Sequence, residues 1–413
     1  MTMRIRASLV LILAAAMMGL ASCDHYNCNT APNLSGGACS TSGSTSISGG
    51  GTTTSSAAAA YVFAGDGAGT IDSFTFSTSA STFAATPNYT GPIAPASISP
   101  TGMVVAQGLY LYAVYYQVGE IFGWSIGSDG TLTPITGSPF IASYLLNSAG
   151  PGGTRTMITN PTGTLLFVED LGGTAVYAYQ IGADGVLTAA NNGSSLIVPG
   201  LPENLAMDGL GKYLYVTLIP AGGGLPEIGA YAIGGSGSLT AVPGTPFSYP
   251  MYQVEGDPSG KYLIGTADDS AISSLYVFSI QSTGSNAGAV TPVTGSPFST
   301  VFAPYSIAVQ GNTGGSLVYS FSLSSGAPNP VEGYQLNTST GALTAVSGSP
   351  FTSVASGYLG QFDQSGNLLS VYSVSGGTAE LGVLAVGSGG VLTQSVSPAD
   401  LTELGPWVLT DPN

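Results

Sequence analysis

Short runs of apolar and β-branched residues, each bounded by Gly, Pro, Asn or Asp, recur along the chain after residue 58. Such runs are typical of β-strands joined by tight turns. One stretch shows the pattern clearly, because residues 204–207, 212–217, 228–233 and 238–242 form four runs in succession. No helical period follows residue 20, so the pattern predicts units of four antiparallel strands.

The fourth run of each unit carries a phrase that returns about every fifty residues. An apolar residue followed by Thr occupies the same place in six copies, at Leu132, Leu187, Leu239, Val290, Leu343 and Leu392. Four copies continue into Ser-Pro-Phe or Thr-Pro-Phe, the first of them at residues 138–140. A fixed period of this length indicates a repeat architecture, and four antiparallel strands per repeat predict a β-propeller blade.

Turns between the first and second strands give the number of blades. They are expected at residues 100–102, 161–163, 208–211, 257–260, 311–314 and 363–366, which makes six complete blades. Residues 61–86 have the pattern of later strands without a first one, and residues 407–412 that of a first strand without its successors. We therefore predict an all-β, seven-bladed propeller over residues 59–413. Pairing of the C-terminal strand with the N-terminal blade would close the ring and remove two exposed sheet edges.

The repeats resemble those of a known family. The turn at residues 257–263, which reads Asp-Pro-Ser-Gly-Lys-Tyr-Leu, and the later Gly-x-Leu-Thr and Ser-Pro-Phe phrases are similar to the seven-bladed lactonase-like propellers. That family includes bacterial 6-phosphogluconolactonases and fungal carboxymuconate cyclases. The resemblance covers roughly residues 59–413. It implies the propeller fold, and it implies a site at the axis where Arg, His and Glu bind substrate and transfer protons.

Residues 1–22 have the features of an export signal, because Arg4 and Arg6 precede an apolar run too short to span a bilayer comfortably. The segment from Leu20 to Cys23 resembles the bacterial lipoprotein cleavage site, whose Cys is acylated. We therefore expect lipidation of Cys23 and attachment to a membrane of the bacterial cell envelope, outside the cytoplasm. The alternative is an ordinary cleaved signal followed by a structural Cys.

Residues 23–58 are rich in Ser, Gly and Thr, which predicts a flexible tether between the anchor and the propeller. Cys28 and Cys39 lie within the tether. In an oxidising compartment they can close a small loop, although nothing in the sequence requires the bond.

The chain is acidic, with five Lys and Arg against 21 Asp and Glu and a net charge of −16. Only Arg155, Lys212 and Lys261 lie beyond the export signal. Nucleic acids and anionic lipid surfaces bind through groups of Lys and Arg, so no nucleic-acid partner is expected.

One face of the predicted ring gathers the candidate functional residues. The starts of first strands and the ends of second strands share a face, which we call the upper face, with the upper mouth at its centre. First-strand starts place there Arg155, Glu203, Tyr252, Tyr305, Tyr358 and a position near Trp407. Second-strand ends add Asp66, Glu169, Asp170, Asp268 and Asp269. The three tyrosines are spaced 53 residues apart, which predicts equivalent places in successive blades.

The residue types exclude several kinds of catalysis. The sole histidine, His25, lies in the tether, and all three cysteines precede residue 40. A Ser-His-Asp or Cys-His nucleophile and a zinc site of His and Cys ligands therefore cannot form in the propeller. Members of the lactonase-like family often open a first strand with Pro-Arg-His, whereas here Thr156 follows Arg155.

What remains is a carboxylate mechanism, in which Glu203 acts as general base on water and Arg155 stabilises a developing oxyanion. A phosphorylated lactone would meet one Arg among several carboxylates, so we expect an unphosphorylated substrate if the protein is an enzyme. The alternative is a salt bridge between adjacent blades at the upper mouth.

Two further sets of side chains are candidates for binding. Asp268 and Asp269 are candidate Ca²⁺ ligands, as are Glu169 and Asp170, and the alternative is a solvated loop. No other cofactor is expected. The aromatic residues Tyr252, Tyr305, Tyr358 and Trp407 are candidates for binding a sugar, another neutral molecule or a protein partner, and the alternative is that they only fill the mouth.

The sequence favours a monomeric, lipid-anchored propeller that binds a neutral ligand or a protein partner at its upper mouth, because the family's histidine is missing. A second hypothesis is a lactone hydrolase or cyclase acting on an unphosphorylated substrate. A third is a purely structural envelope protein. Convergence of Arg155 and Glu203 in one deep pocket would favour an enzyme.

Overall fold

A computed structural model describes residues 60–65, 70–77, 82–85, 100–142, 156–170, 173–267, 272–310, 316–322, 330–354, 357–375, 378–400 and 406–410. The predicted export signal and tether lie outside these residues, as do Cys23, Cys28, Cys39 and His25. In the part that is described, 31 strands form seven antiparallel sheets. The same part contains no helix long and apolar enough to cross a membrane.

Six blades follow one another along the chain, and each begins with its innermost strand. Blade 1 contains β4 (Gly102–Ala106), β5 (Tyr110–Tyr115), β6 (Glu120–Ile126), β7 (Leu132–Pro134) and β8 (Phe140–Ile141). Blade 2 contains β9 (Met157–Thr159), β10 (Leu165–Glu169), β11 (Ala175–Ile181), β12 (Leu187–Ala189) and β13 (Leu196–Ile197). Blade 3 contains β14 (Gly200–Met207), β15 (Tyr213–Pro220), β16 (Glu227–Ile233) and β17 (Leu239–Ala241).

The second half of the ring repeats this order. Blade 4 contains β18 (Met251–Gly256), β19 (Tyr262–Ala267), β20 (Ser274–Ile280), β21 (Val290–Pro292) and β22 (Phe298–Ser299). Blade 5 contains β23 (Pro304–Val309), β24 (Ser316–Ser322), β25 (Glu332–Leu336) and β26 (Leu343–Ala345). Blade 6 contains β27 (Leu359–Phe362), β28 (Leu368–Ser375), β29 (Thr378–Val386) and β30 (Leu392–Asp400).

The seventh blade is built from both ends of the chain. Its inner strand is the C-terminal β31 (Trp407–Thr410), which pairs antiparallel with β1 (Ala60–Gly65). Outside β1 lie β2 (Ile71–Ser77) and β3 (Thr82–Ala85). The predicted fold, a seven-bladed propeller closed across the termini, is confirmed.

The repeated Ser-Pro-Phe phrase has a structural role on the outer side of the blades. Its hydroxyl group accepts a hydrogen bond from a backbone N–H of the third strand, as in Thr245 with Ala230 at 2.7 Å and Ser296 with Val277 at 3.0 Å. The following Phe then lies beside the start of that strand, as Phe140 does opposite Ile121. In three blades the chain forms a short fifth strand there, namely β8, β13 and β22.

The first turn predicted from the sequence, at residues 100–102, is wrong. Gly102 begins β4, and the turn to β5 lies at residues 107–109. Gln107 and Gly108 have φ angles of 56° and 69° in this turn. Residues other than Gly, Asn and Asp seldom adopt such angles, so Gln107 gave no recognisable turn signal.

Buried tyrosines join neighbouring blades through their hydroxyl groups. Tyr112 donates to the carbonyl oxygen of Gly185 at 2.6 Å, Tyr215 to Gly288 at 3.0 Å and Tyr319 to Gly390 at 2.7 Å. Each acceptor belongs to the turn before the fourth strand of the next blade. These bonds satisfy buried polar groups while the rings fill the space between blades, so they fix each blade against its neighbour.

Candidate functional site

Three successive inner strands carry an irregularity at the same place on the upper face. The pairing register shifts at Glu203 in β14, at Tyr252 in β18 and at Tyr305 in β23. A β-bulge leaves one residue outside the ladder and changes the direction of its side chain. The three residues are 49 and 53 positions apart, so the repeat places them at equivalent points of the upper mouth.

Five aromatic side chains form a continuous series along this part of the mouth, which we call the aromatic arc. Its members are Tyr252, Tyr305, Tyr358, Tyr372 and Trp407. Successive ring centroids lie 5.3, 6.1, 5.5 and 4.7 Å apart in that order. The last two rings are stacked at an interplanar angle of 19°. Four of the rings are half-buried and present part of their surface to solvent, whereas Tyr372, which lies between Tyr358 and Trp407, is 6% exposed.

Hydrogen bonds hold the arc in place. The hydroxyl groups of Tyr252 and Tyr305 lie 3.1 Å apart, and the indole N–H of Trp407 donates to the hydroxyl of Ser370 at 3.0 Å. Burial raises the pKa of Tyr372 to about 12. Burial, with the neighbouring Tyr372 and Tyr305, also raises the pKa of Tyr358. The hydroxyl groups of this pair therefore stay neutral at ordinary pH and are available as hydrogen-bond donors and acceptors.

Side chains from adjacent blades anchor the backbone that carries the arc. Thr217 donates to the carbonyl oxygen of Tyr252 at 3.1 Å, and Ser306 to that of Tyr358 at 2.6 Å.

The amide group of Gln253 bonds to both backbone groups of Ile307, accepting from its N–H at 3.0 Å and donating to its carbonyl oxygen at 3.2 Å. Side chains held in this way make a site rigid before a ligand arrives.

Two carboxyl groups lie next to the arc on the upper face, and we call Glu169 and Glu203 the carboxyl pair. Glu169 ends β10, and Glu203 lies on the inner strand of the next blade. Burial raises the pKa of Glu169 well above its ordinary value, and the nearby charge of Glu203 raises it further. Glu203 is half-buried, so it is the member of the pair that solvent reaches.

The structure brings together most of the residues that the sequence placed at the upper mouth. Glu203, Tyr252, Tyr305, Tyr358 and Trp407 all lie there, in consecutive blades. Arg155, Asp66, Asp268 and Asp269 lie outside the described residues, so the predicted Arg155–Glu203 partnership and the predicted Ca²⁺ ligands stay predictions. Among the residues that are described, no group of three or more His, Cys, Asp and Glu side chains is placed to hold a metal.

Sequence reasoning did not single out Tyr372 or the full burial of Glu169. Tyr372 in blade 6 and Glu169 in blade 2 occupy equivalent places. Each lies on the second strand of its blade, opposite the first-strand residue that follows the residue at the mouth. The signal was therefore present in the repeat. Aligning the second strand of blade 6 with that of blade 2 would have found Tyr372, whereas the burial of Glu169 depends on packing between blades.

The upper mouth combines aromatic and acidic side chains. Half-buried aromatic faces with neutral hydroxyl groups stand beside an acidic edge, and the two described lysines, Lys212 and Lys261, follow turns on the opposite, lower face. Such a surface offers stacking planes and hydrogen-bond acceptors to an uncharged ring that carries hydroxyl groups.

Comparisons with known proteins agree on the fold. No protein-family model matches the sequence, and no curated protein matches it. Among solved structures, a Bacteroides uniformis protein assigned as a 6-phosphogluconolactonase has a TM-score of 0.62 at 14% identity, over 85% of this chain and 99% of that one. A Bacteroides fragilis protein with the same assignment has a TM-score of 0.59 at 15% identity, over 87% and 99%.

The periplasmic gluconolactonase of Pseudomonas aeruginosa has a TM-score of 0.59 at 14% identity, over 86% of this chain and 99% of that one. Identities this low establish the architecture and leave the activity open. The chain is thus a seven-bladed β-propeller with the fold of the lactonase-like propellers.

Proposed function

We propose that the upper mouth binds a neutral, polyhydroxylated ring, such as an unphosphorylated sugar or sugar lactone. The aromatic arc is the observation that supports this proposal. The four half-buried rings of the arc, held by hydrogen bonds and packing, offer apolar surface to the C–H face of a sugar. The adjacent Glu203 accepts hydrogen bonds from hydroxyl groups, and neither side chain type favours a phosphate.

The location we propose is the outer side of a bacterial membrane, with the chain attached through lipidated Cys23. The chain enters the propeller at Ala60, the first residue of a second strand, on the lower face. A tether attached at the lower face supports an orientation in which the upper mouth is directed away from the membrane. A tether of this composition spans roughly 5–6 Å times the square root of its length in residues, enough to hold the propeller clear of the lipid surface.

Substitution of Tyr305 by Ala tests the binding site. We expect it to weaken binding of glucose or glucono-1,5-lactone about tenfold to a hundredfold, equal to about 1.4–2.8 kcal/mol, because the ring lies between those of Tyr252 and Tyr358 in the arc. Tyr305→Phe keeps the ring and should retain most of the affinity. Isothermal titration calorimetry measures both variants.

The matched control is Tyr276→Ala. Tyr276 is also a half-buried tyrosine of the same half of the ring, but it lies on the third strand of blade 4, away from the mouth. Equal loss of affinity in Tyr276→Ala and Tyr305→Ala, or tighter binding of a phosphorylated sugar than of its neutral form, would contradict the proposed site.

Hydrolysis of an unphosphorylated lactone is a second candidate function. The position of Glu203 favours it, because a half-buried carboxylate beside the arc is suited to remove a proton from water attacking a bound lactone carbonyl. The opened ring then takes that proton on its departing oxygen, giving a hydroxy acid.

If the protein is such a hydrolase, Glu203→Gln will lower the rate of glucono-1,5-lactone hydrolysis about a hundredfold or more, as expected for loss of a general base. Glu227→Gln is the control, since Glu227 begins β16 on the same face of the same blade. A rate for Glu203→Gln equal to that of Glu227→Gln would exclude the carboxylate mechanism and leave binding as the function of the mouth.

A further inference from the structure

Glu169 is a buried carboxyl group that receives no hydrogen bond from the described part of the chain. Its side chain is 0% exposed, and neither carboxyl oxygen has a hydrogen-bond partner among the described residues. A buried carboxylate without donors or a counter-charge is strongly disfavoured relative to the neutral acid, which needs no solvation of a charge. The structure therefore favours a proton on Glu169.

The groups around Glu169 reinforce its preference for the protonated form. The titratable groups among them are Asp170 on the same chain segment, Glu203 on β14, Tyr177 and Tyr179 on β11, and Tyr116 after β5. Tyr116 donates its hydroxyl proton to the backbone carbonyl oxygen of Glu169 at 2.6 Å, so this hydroxyl is not directed at the carboxyl group. The described lysines lie on the lower face, and Arg155 lies outside the described residues.

Glu169 also lies against the strand that carries Glu203. Phe167, two residues earlier on the same side of β10, packs in one cluster with Leu205 of β14. Residues two apart on a strand face the same way, so Glu169 is directed toward the blade that bears Glu203. Two carboxyl groups whose charges interact ionise one after the other, because the first charge opposes the second.

We propose that Glu169 and Glu203 together bind a single proton across the neutral pH range, with Glu169 holding it as a positioning residue behind Glu203. This inference rests on the proposed function of the upper mouth. The pair then presents one negative charge to the mouth, on the half-buried Glu203, where it accepts hydrogen bonds from a ligand or a proton from water. A single negative charge suits an uncharged ligand whose hydroxyl groups donate hydrogen bonds. It does not require the ligand to be a cation.

The pH dependence has a definite sign. The folded protein keeps the proton of Glu169 at pH values where the unfolded chain has lost it. The contribution of Glu169 to stability is therefore greatest near and below the ordinary pKa of Glu and is lost as the pH rises toward the raised value. Removal of the proton also places two negative charges side by side at the mouth, so ligand affinity should fall in the same direction.

Infrared spectroscopy of the full mature chain tests the proposal without a ligand, through the carbonyl stretch of protonated carboxyl groups. We expect the wild type and the control Glu120→Gln to show a buried, protonated carboxyl at pH 7, and Glu169→Gln to lack it. Glu203→Gln should show the band at pH 7, but the band should disappear at a lower pH than in the wild type. The negative charge of Glu203 then no longer opposes the ionisation of Glu169. Absence of the band from the wild type, or its persistence in Glu169→Gln, would overturn the proposal.

A binding titration with glucose then separates this proposal from the proposed function. If glucose binds, wild-type affinity should fall about tenfold between neutral and alkaline pH, whereas that of Glu169→Gln should not. If glucose does not bind although the band behaves as expected, the proposed function fails and the proton-sharing pair stands. If Glu169→Gln does not fold, the pH dependence of the infrared band is compared between the wild type and Glu203→Gln. The same pH dependence in both proteins would refute the sharing of a proton by Glu169 and Glu203.

Discussion

Deletion of residues 407–413 will abolish cooperative folding of the propeller or lower its melting temperature by about 10 °C or more. The deletion removes β31, the inner strand of the seventh blade, and leaves β1 paired only with β2. Val408 and Leu409 are 1% and 3% exposed, and burial of two such side chains stabilises a fold by about 3–6 kcal/mol. This is a large part of the stability of an ordinary domain, which is about 5–15 kcal/mol.

The position of the strand makes the effect larger than its length suggests. Val408 packs in the cluster shared with blade 1, whereas Leu409 packs in the cluster shared with blade 6. Loss of β31 therefore opens the interfaces on both sides of the seventh blade. It also exposes the edge of β1, which becomes a template for aggregation.

Circular dichroism during heating measures this result, and two point variants serve as comparison. Leu409→Asp should approach the deletion in its effect, because it buries an unpaired charge between two blades. Leu210→Asp is the control, since Leu210 is 55% exposed in a turn on the lower face. An unchanged melting temperature in the deletion variant would mean that the ring does not depend on closure through the C-terminus.

Substitution of Asp257 by Ala will destabilise the protein by about 3 kcal/mol or more. Asp257 is fully buried in the turn between β18 and β19, where one carboxylate oxygen accepts the backbone N–H groups of Lys261 at 3.0 Å and Tyr262 at 2.7 Å. The other oxygen accepts the N–H of Ser259 at 3.1 Å. Alanine leaves these donors without an acceptor, at a cost of about 1–3 kcal/mol for each one that stays buried.

Asp129→Ala is the matched control for this turn. Asp129 also accepts the N–H of the residue two positions later, Thr131 at 3.1 Å, but in an exposed turn where water replaces the lost acceptor. We expect its cost to stay below about 1 kcal/mol. Urea denaturation of both variants gives the two free energies of unfolding, and equal values would contradict the role assigned to burial of the Asp257 carboxylate.

The architecture was predictable because it depends on features that repeat. The six copies of the phrase that begins at Leu132 gave the period of the repeat, and four apolar runs within a repeat predicted the strands of a blade. The incomplete patterns at the two ends of the chain predicted closure of the ring. A single irregular repeat was placed wrongly. The turn at Gln107 and Gly108 lacks the Asp, Asn or Pro residues that mark the other turns, and Pro100 to Gly102 carried a stronger local signal.

The candidate site was predictable only as far as the repeat reaches. Equal spacing placed Tyr252, Tyr305 and Tyr358 together at the mouth, but the bulges at Tyr252 and Tyr305 depend on the pairing register, which spacing alone does not determine. Tyr372 and Glu169 are contributed by second strands, and the burial of Glu169 depends on how neighbouring blades pack. The bulges and the burial of Glu169 therefore required the three-dimensional structure.

The structural neighbours also mark the limit of inference from fold. Proteins assigned as 6-phosphogluconolactonases and a periplasmic gluconolactonase share the architecture at 14–15% identity. In this chain the residues at the mouth that the structure describes are mainly aromatic and acidic, which is a poor match for a phosphorylated substrate. The proposal of a neutral ligand therefore rests on the residues at the mouth and not on the shared scaffold.

A crystal structure of the mature chain soaked with glucose or glucono-1,5-lactone is the most direct measurement of where this protein acts. We predict electron density for the ring against the faces of Tyr305 and Tyr358, with a hydroxyl group within hydrogen-bond distance of the Glu203 carboxylate. Density on the lower face beside Lys212 and Lys261, or a vacant upper mouth at a concentration that saturates binding in solution, would contradict the assignment of the upper mouth as the ligand site.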